Sequence, residues 1–190
     1  MAEHPWLSII GLGEDGLDGL ACASLAALEQ AEIIMGPPRH LSLLPEGTWE
    51  TREWPIPFAD GIGPLLALRG RMVAVLVSGD PFWFGAGSVL AREMQMGEWQ
   101  AFPAPSVFSQ VAARLGWALE TTLCMGLHAA PVSRLRPHLA PGARIIVLLR
   151  DGQAVGTLAS TLIGAGFGDS RMTVCQALGG SREKISEVSP

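Results

Sequence analysis

Trp6-Leu7-Ser8-Ile9-Ile10-Gly11 is a short apolar run, rich in β-branched residues, that stops at a glycine, as a buried parallel strand does before its turn. From Leu20 to Gln30 the chain becomes Ala- and Leu-rich with apolar positions at helical spacing. Ala31 to Met35 is a second short apolar run, stopped by Gly36-Pro37-Pro38. Strand, helix and strand in this order predict a β-α-β unit, and with it an α/β chain. The alternation continues with a strand over Met72–Val77, a helix over Ser88–Gln95, a strand over Trp99–Phe102 and a helix over Val107–Leu115 that Ser106 could cap. After Gly116 the pattern restarts. Strands are expected over Thr121–Leu127, Arg144–Leu149 and Met172–Ala177, with a helix over Val155–Ile163 ended by Gly164 and Gly166. The boundary at Gly116 predicts an N-terminal domain over 1–115 and a C-terminal one over 116–190. The last residues, Lys184 to Pro190, read as part of an edge-strand hairpin with no closing helix, which suggests a module of a longer protein.

Composition narrows the partners. The chain has 190 residues, 48% of them hydrophobic and 16% charged, which excludes intrinsic disorder. A formal charge of -5 argues against a protein whose affinity comes from neutralising a phosphate backbone, so nucleic acid is not the expected partner. All bases but Lys184 are arginines, whose fork suits carboxylate or phosphate. Cys22, Cys124 and Cys175 are odd in number and lack metal or disulfide spacing, as in a reducing cytoplasm. Met1 to Leu7 lacks the pattern of a signal peptide, and the longest apolar stretch, at Met72–Val77, is too short for a membrane helix. A soluble, cytoplasmic protein with no membrane partner is expected.

Two glycine-rich turns follow predicted strands. Gly11-Leu12-Gly13-Glu14-Asp15-Gly16 matches G-x-G-x-x-G, the dinucleotide fingerprint, which would make the chain an NAD(P)-dependent reductase. Glu14 and Asp15, however, put two negative charges where a pyrophosphate should rest. Ser78-Gly79-Asp80-Pro81-Phe82-Trp83-Phe84 carries an acid and three aromatics out of a strand end, where ligands of open α/β sheets bind. Gly79 permits close backbone approach, and Asp80 can either accept hydrogen bonds from a ligand or cap its own turn. His4, His40, His128 and His138 show no metal-ligand spacing, so no metal is expected. There is also no G-x-S-x-G elbow.

Ile9-Ile10-Gly11-Leu12-Gly13, Gly36-Pro37-Pro38-Arg39-His40-Leu41 and Ser78-Gly79-Asp80-Pro81-Phe82, in this order and spacing, resemble the tetrapyrrole methylases along the whole chain. Glu14 to Leu20 and Leu178-Gly179-Gly180, followed by Glu183-Lys184-Ile185, resemble the branch of that family acting on precorrin bridging carbons. The resemblance implies two α/β domains, each a mostly β-α-β sheet with flanking helices, and S-adenosylmethionine in the cleft between them. It implies cofactor contacts at Gly11, Ser78, Gly79, Asp80, Trp83, Ser106, Val107, Leu149 and Ala177. The family's Pro-Gly-x-Ser/Thr loop reads Pro103-Ala104-Pro105-Ser106 here, and its Gly-x-Gly-Pro-Gly turn reads Gly11-Leu12-Gly13-Glu14-Asp15. The implied reaction is methyl transfer to C5, with C15 as a second candidate, of an anionic precorrin in cobalamin biosynthesis.

Asp80, His40 and His128 are candidate bases, and Arg39, Arg52 and Arg134 candidate carboxylate clamps. The family also suggests a homodimer, and a second, C-terminal methyltransferase and decarboxylase module. The alternatives are a methylase of another corrinoid or uroporphyrinogen carbon, the NAD(P)-dependent reductase, and a non-catalytic binding module.

Overall fold

Every side chain from Leu7 to Leu12 is buried, and in this computed structural model, which describes residues 5–190, the run forms strand β1 (Leu7–Leu12). Strands β2 (Ile33–Gly36), β3 (Glu50–Glu53), β4 (Val73–Ser78) and β5 (Trp99–Phe102) join it in one parallel sheet of order β3-β2-β4-β1-β5. The central strands are apolar on both faces because both faces are covered. Ile9, Ile33, Val73 and Val75 pack on one side with Leu65 of α3 (Ile62–Leu66) and Leu90 of α4 (Gly87–Arg92). On the other side Ile10, Ile34, Ala74 and Leu76 meet Ala27 and Leu28 of α1 (Cys22–Glu29). Each buried Val, Ile or Leu among them contributes roughly 1.5–3 kcal/mol through removal from water.

The first strand runs past its expected end at Ile10, since Gly11 and Leu12 keep register with Val77 and Ser78. Two elements had no apolar signature to announce them. β3, Glu50-Thr51-Arg52-Glu53, is an exposed, charged edge strand, a composition that discourages further pairing. A single helical turn, α2 (Pro38–Leu41), starts on a proline whose fixed φ suits a first helical position.

The chain divides into two compact units. The first takes the residues up to Ser106 together with Gly179–Ser181, and the second takes Val107–Leu178 and Arg182–Pro190. The division therefore falls before α5 (Val107–Leu115) rather than at Gly116, because Phe108 and Val111 pack with Ile146 and Leu178 of the second unit. In that unit β6 (Leu123–Gly126) and β7 (Ile145–Leu148) form a parallel pair. One face of the pair lies on the Phe108 cluster, the other on Leu158 and Leu162 of α6 (Gln153–Gly164). The remaining strands, β8 (Met172–Gln176) and β9 (Lys184–Val188), make an antiparallel hairpin, so this unit holds two separate strand pairs instead of one β-α-β sheet. No helix among the described residues is long and apolar enough to cross a membrane.

Gly11 has no room for a side chain. A Cβ there would run into the Gly79 carbonyl and stand 2.7 Å from the Ala104 nitrogen, both backbone atoms. Gly11→Ala is expected to destabilise the protein by about 1–3 kcal/mol or more through overpacking. Gly63→Ala, in α3 with nothing within 4 Å, should instead be neutral or stabilising by up to about 1 kcal/mol. Urea unfolding of the two variants checks both signs.

Candidate functional site

From β1 the chain crosses β4 to reach β2, and from β4 it crosses β1 to reach β5. The two exits leave in opposite directions, and their helices lie on opposite faces, α1 over Ile10 and Leu76 and α4 over Ile9 and Val75. Neighbouring strands that diverge in this way create a topological switch point, where open α/β sheets hold ligands beyond their carboxyl ends. Gly79 sits there with φ +55, its amide donating to the Leu12 carbonyl (3.1 Å) and its carbonyl accepting from the Ala104 amide (3.1 Å). One glycine thus ties together the ends of β1 and β4 and the loop after β5. Ser106, on that loop, is buried.

Beyond Gly79 the turn is tight. The Asp80 carboxylate accepts from the Phe82 amide through Oδ1 at 2.8 Å, so the capping role expected as one of its two options is realised. The Gly87 amide donates to the Pro81 carbonyl at 2.9 Å, and a Cβ on Gly85 or Gly87 would collide with the Pro81 backbone. This packing turns Phe82, Trp83 and Phe84 outward at 46%, 36% and 50% exposure, with Phe84 held at φ +57. A non-glycine residue at positive φ carries strain, which collects at functional sites.

Beside the turn, α2 delivers Arg39 and His40 to Ser78, the last residue of β4. The Arg39 guanidinium donates to Ser78 Oγ through Nη2 and lies 3.9 Å from Glu14 through Nη1. His40 Nε2 is 3.4 Å from the same Oγ, while its Nδ1 is buried without a hydrogen bond. Burial first, then the neighbouring Arg39 charge, pushes the His40 pKa down to about 4 against the weaker opposing influences of the Leu76 carbonyl and Glu14. The ring is therefore neutral at pH 7, and too weakly basic to be an effective general base there.

The remaining sequence candidates lie on other elements. Arg52, on the edge strand, is engaged by Glu50 at 2.6 Å. Val107, His128, Arg134, Leu149 and Ala177 belong to the second unit. There Leu149 packs within the α6 cluster, the His128 carbonyl accepts from Arg150, and Ala177 has φ +47. His4 lies outside the described residues. Two participants had escaped sequence reading. Glu14 acts as a partner of Arg39, and the Ala104 amide as a partner of Gly79; only the G-x-G-E-D spacing hinted at the first, and nothing local marked the second.

The Gly11–Gly16 turn is not built as a dinucleotide cradle. Asp15 folds back so that its carboxylate fills the space beside both Gly13 and Gly19. Gly16 leads into a short 3-10 turn, and α1 begins only at Cys22. The anion position next to a helix N-terminus is therefore absent from this turn.

Residues 7–189 match the family model described as Tetrapyrrole (Corrin/Porphyrin) Methylases. Among curated proteins, the chain is 43% identical over 183 residues to a precorrin-6Y C(5,15)-methyltransferase (decarboxylating) from a Sinorhizobium species, covering 96% of this chain and 44% of that protein. The chain thus spans less than half the length of that relative. It is 26% identical to a cobalt-precorrin-7 C(5)-methyltransferase from Salmonella typhimurium, covering 94% of this chain and 88% of that one. The fold matches a uroporphyrin-III C-methyl transferase from Thermus thermophilus solved with S-adenyl homocysteine, with a TM-score of 0.69 and 18% identity over 96% of this chain and 82% of that one.

The depressed His40 pKa makes stability depend on pH. Unfolded His40 binds its proton near pH 6.5 and folded His40 only near pH 4. Between these values the unfolded chain holds more protons, so this contribution is complete above pH 6.5 and is lost as pH falls toward 4, about 3 kcal/mol in all. Denaturant unfolding across that range should show the slope in the natural chain and its loss in His40→Gln.

Proposed function

Because the chain belongs to the tetrapyrrole (corrin/porphyrin) methylases, we propose that it transfers a methyl group from S-adenosylmethionine to C5, a ring-bridging carbon, of an anionic precorrin in cobalamin biosynthesis. One observation carries the choice of carbon. The chain matches less than half of a relative named for C5 and C15, yet 88% of one named for C5 alone, and C5 is what the two names share. The C15 methylation and decarboxylation then belong to the portion of the longer relative that has no counterpart in this chain. In this reading the chain works as one module of a cytoplasmic, homodimeric enzyme joined to a second module.

The turn after β4 has the features a sulfonium nucleoside would need. Gly79, held at φ +55 by its hydrogen bonds to Leu12 and Ala104, carries no side chain, so a ligand can approach the backbone of the turn there, and Gly11 seats that turn by leaving room for the Gly79 carbonyl. The Asp80 carboxylate spends Oδ1 on its own turn and keeps Oδ2 for a ligand hydroxyl or amino group. Ser78, Trp83 and Ser106 complete the set from the first unit, with Val107, Leu149 and Ala177 as the proposed contacts of the second. When bound, the donor supplies an electrophilic methyl whose departure leaves a neutral thioether. The chain's own contribution is to hold the substrate carbon in line and to keep water away, which lowers the barrier without covalent chemistry. Asp80 is the proposed acceptor of the proton the methylated carbon loses, with exposed His128 as second candidate. Arg39 and Arg134 are the proposed partners of substrate carboxylates; Arg52 is the weakest of the three because Glu50 already neutralises it.

Calorimetric titration with S-adenosylhomocysteine, with NADPH as control, tests this reading. Saturable binding of the first alone is expected, weakened about tenfold in Asp80→Ala by loss of a charge-assisted hydrogen bond. Incubation with an isotope-labelled donor and the precorrin should then place a single labelled methyl at C5. Binding of NADPH alone would overturn the methylase reading, and labelling at another carbon would overturn the assignment to C5.

A further inference from the structure

The groups around Ser78 form a polarised chain whose exposed end is a cation. Arg39 donates to Ser78 Oγ, so that oxygen is an acceptor on one side and its own proton is free to turn elsewhere. His40 Nε2 lies 3.4 Å from the same oxygen. In the tautomer that carries its proton on Nδ1, a neutral ring can accept the Ser78 proton at Nε2. His40 is 4% exposed and a poor base, whereas the Arg39 side chain is 61% exposed. The buried end is thus rigid and uncharged, and the solvent end presents guanidinium N–H groups beyond those spent on Ser78. Glu14, at 3.9 Å, is too distant to saturate them.

We infer that His40 and Ser78 are positioning residues that hold the Arg39 guanidinium as a pre-formed receptor for a carboxylate of the substrate. The class of substrate rests on the methylase reading; the receptor itself rests on the geometry. A chain with net charge -5 gains nothing from long-range attraction to an anion, so capture depends on a local cation fixed in direction. An arginine otherwise loses side-chain entropy each time it engages a ligand, and anchoring it through Ser78 removes part of that cost in advance. Neutral His40 is the form that suits this task. A protonated ring could not accept from Ser78 and would repel Arg39.

The test uses uroporphyrin, a stable tetrapyrrole polycarboxylate, as the probe, with quenching of tryptophan fluorescence as the readout. Arg39→Ala should weaken its binding about tenfold, the scale of one charge-assisted pair. His40→Leu should weaken it several-fold, and His40→Gln, which restores an acceptor toward Ser78, should recover most of the affinity. In an Arg39→Ala background, His40→Leu should cost nothing further, because its effect passes through Arg39. An equal loss in both backgrounds, or wild-type affinity in Arg39→Ala, or no uroporphyrin binding by the wild-type chain, would overturn the inference. S-adenosylhomocysteine binding by the wild-type chain is read separately, so failure of the donor site and failure of the carboxylate receptor are told apart.

Discussion

The close approach of three backbone segments at Gly79 is the constraint on which the rest of the first unit depends. The Gly79 amide reaches Leu12 and its carbonyl reaches Ala104, and Gly11 must lack a side chain for these segments to meet. With that knot in place, β1 and β4 end at one level and their continuing chains diverge to opposite faces of the sheet. A side chain at Gly11 would push the strand ends apart, and the aromatic turn and the Arg39 cluster would lose their common reference.

A second constraint is electrostatic. His40 is buried beside a cation, and desolvation and repulsion act in the same direction on its charge. The protein tolerates this because the ring stays neutral and has Ser78 as a neighbour. Asp15 shows the converse arrangement. Its carboxylate lies against Gly13 and Gly19, two residues small enough to admit it, and this turns a nucleotide-like sequence pattern into a closed loop. Gly180 fits tightly too, since a Cβ on it would lie 2.7 Å from the Glu14 Cβ, which explains why a glycine pair near the end of the chain belongs with the N-terminal turn.

Much of the first unit was legible in the sequence, because its strands are apolar on both faces and end at Gly or Pro. Trp6 to Ile10, Ala31 to Met35, Met72 to Val77 and Trp99 to Phe102 all correspond to strands of the sheet. β3 escaped because an edge strand carries no burial signal, and its four residues are all exposed. The boundary at Gly116 followed a visible turn, whereas the actual division depends on Phe108 and Val111 choosing their packing partners, a tertiary fact with no local mark. At the candidate site, Ser78, Gly79 and Asp80 stand out in the sequence as a glycine and an acid at the end of an apolar strand. The Arg39, Ser78 and His40 contacts join residues distant in sequence, and only parallel pairing of β2 with β4 brings them together.

Hydrogen exchange of the chain with and without S-adenosylhomocysteine tests most directly whether the switch point is the donor site. Slowed exchange is expected in the segments from Ser78 to Phe84 and from Pro103 to Ser106, with little change between Asp15 and Leu20. Protection confined to the Gly11–Gly19 turn, or none in the Ser78 segment despite saturating ligand, would contradict that assignment.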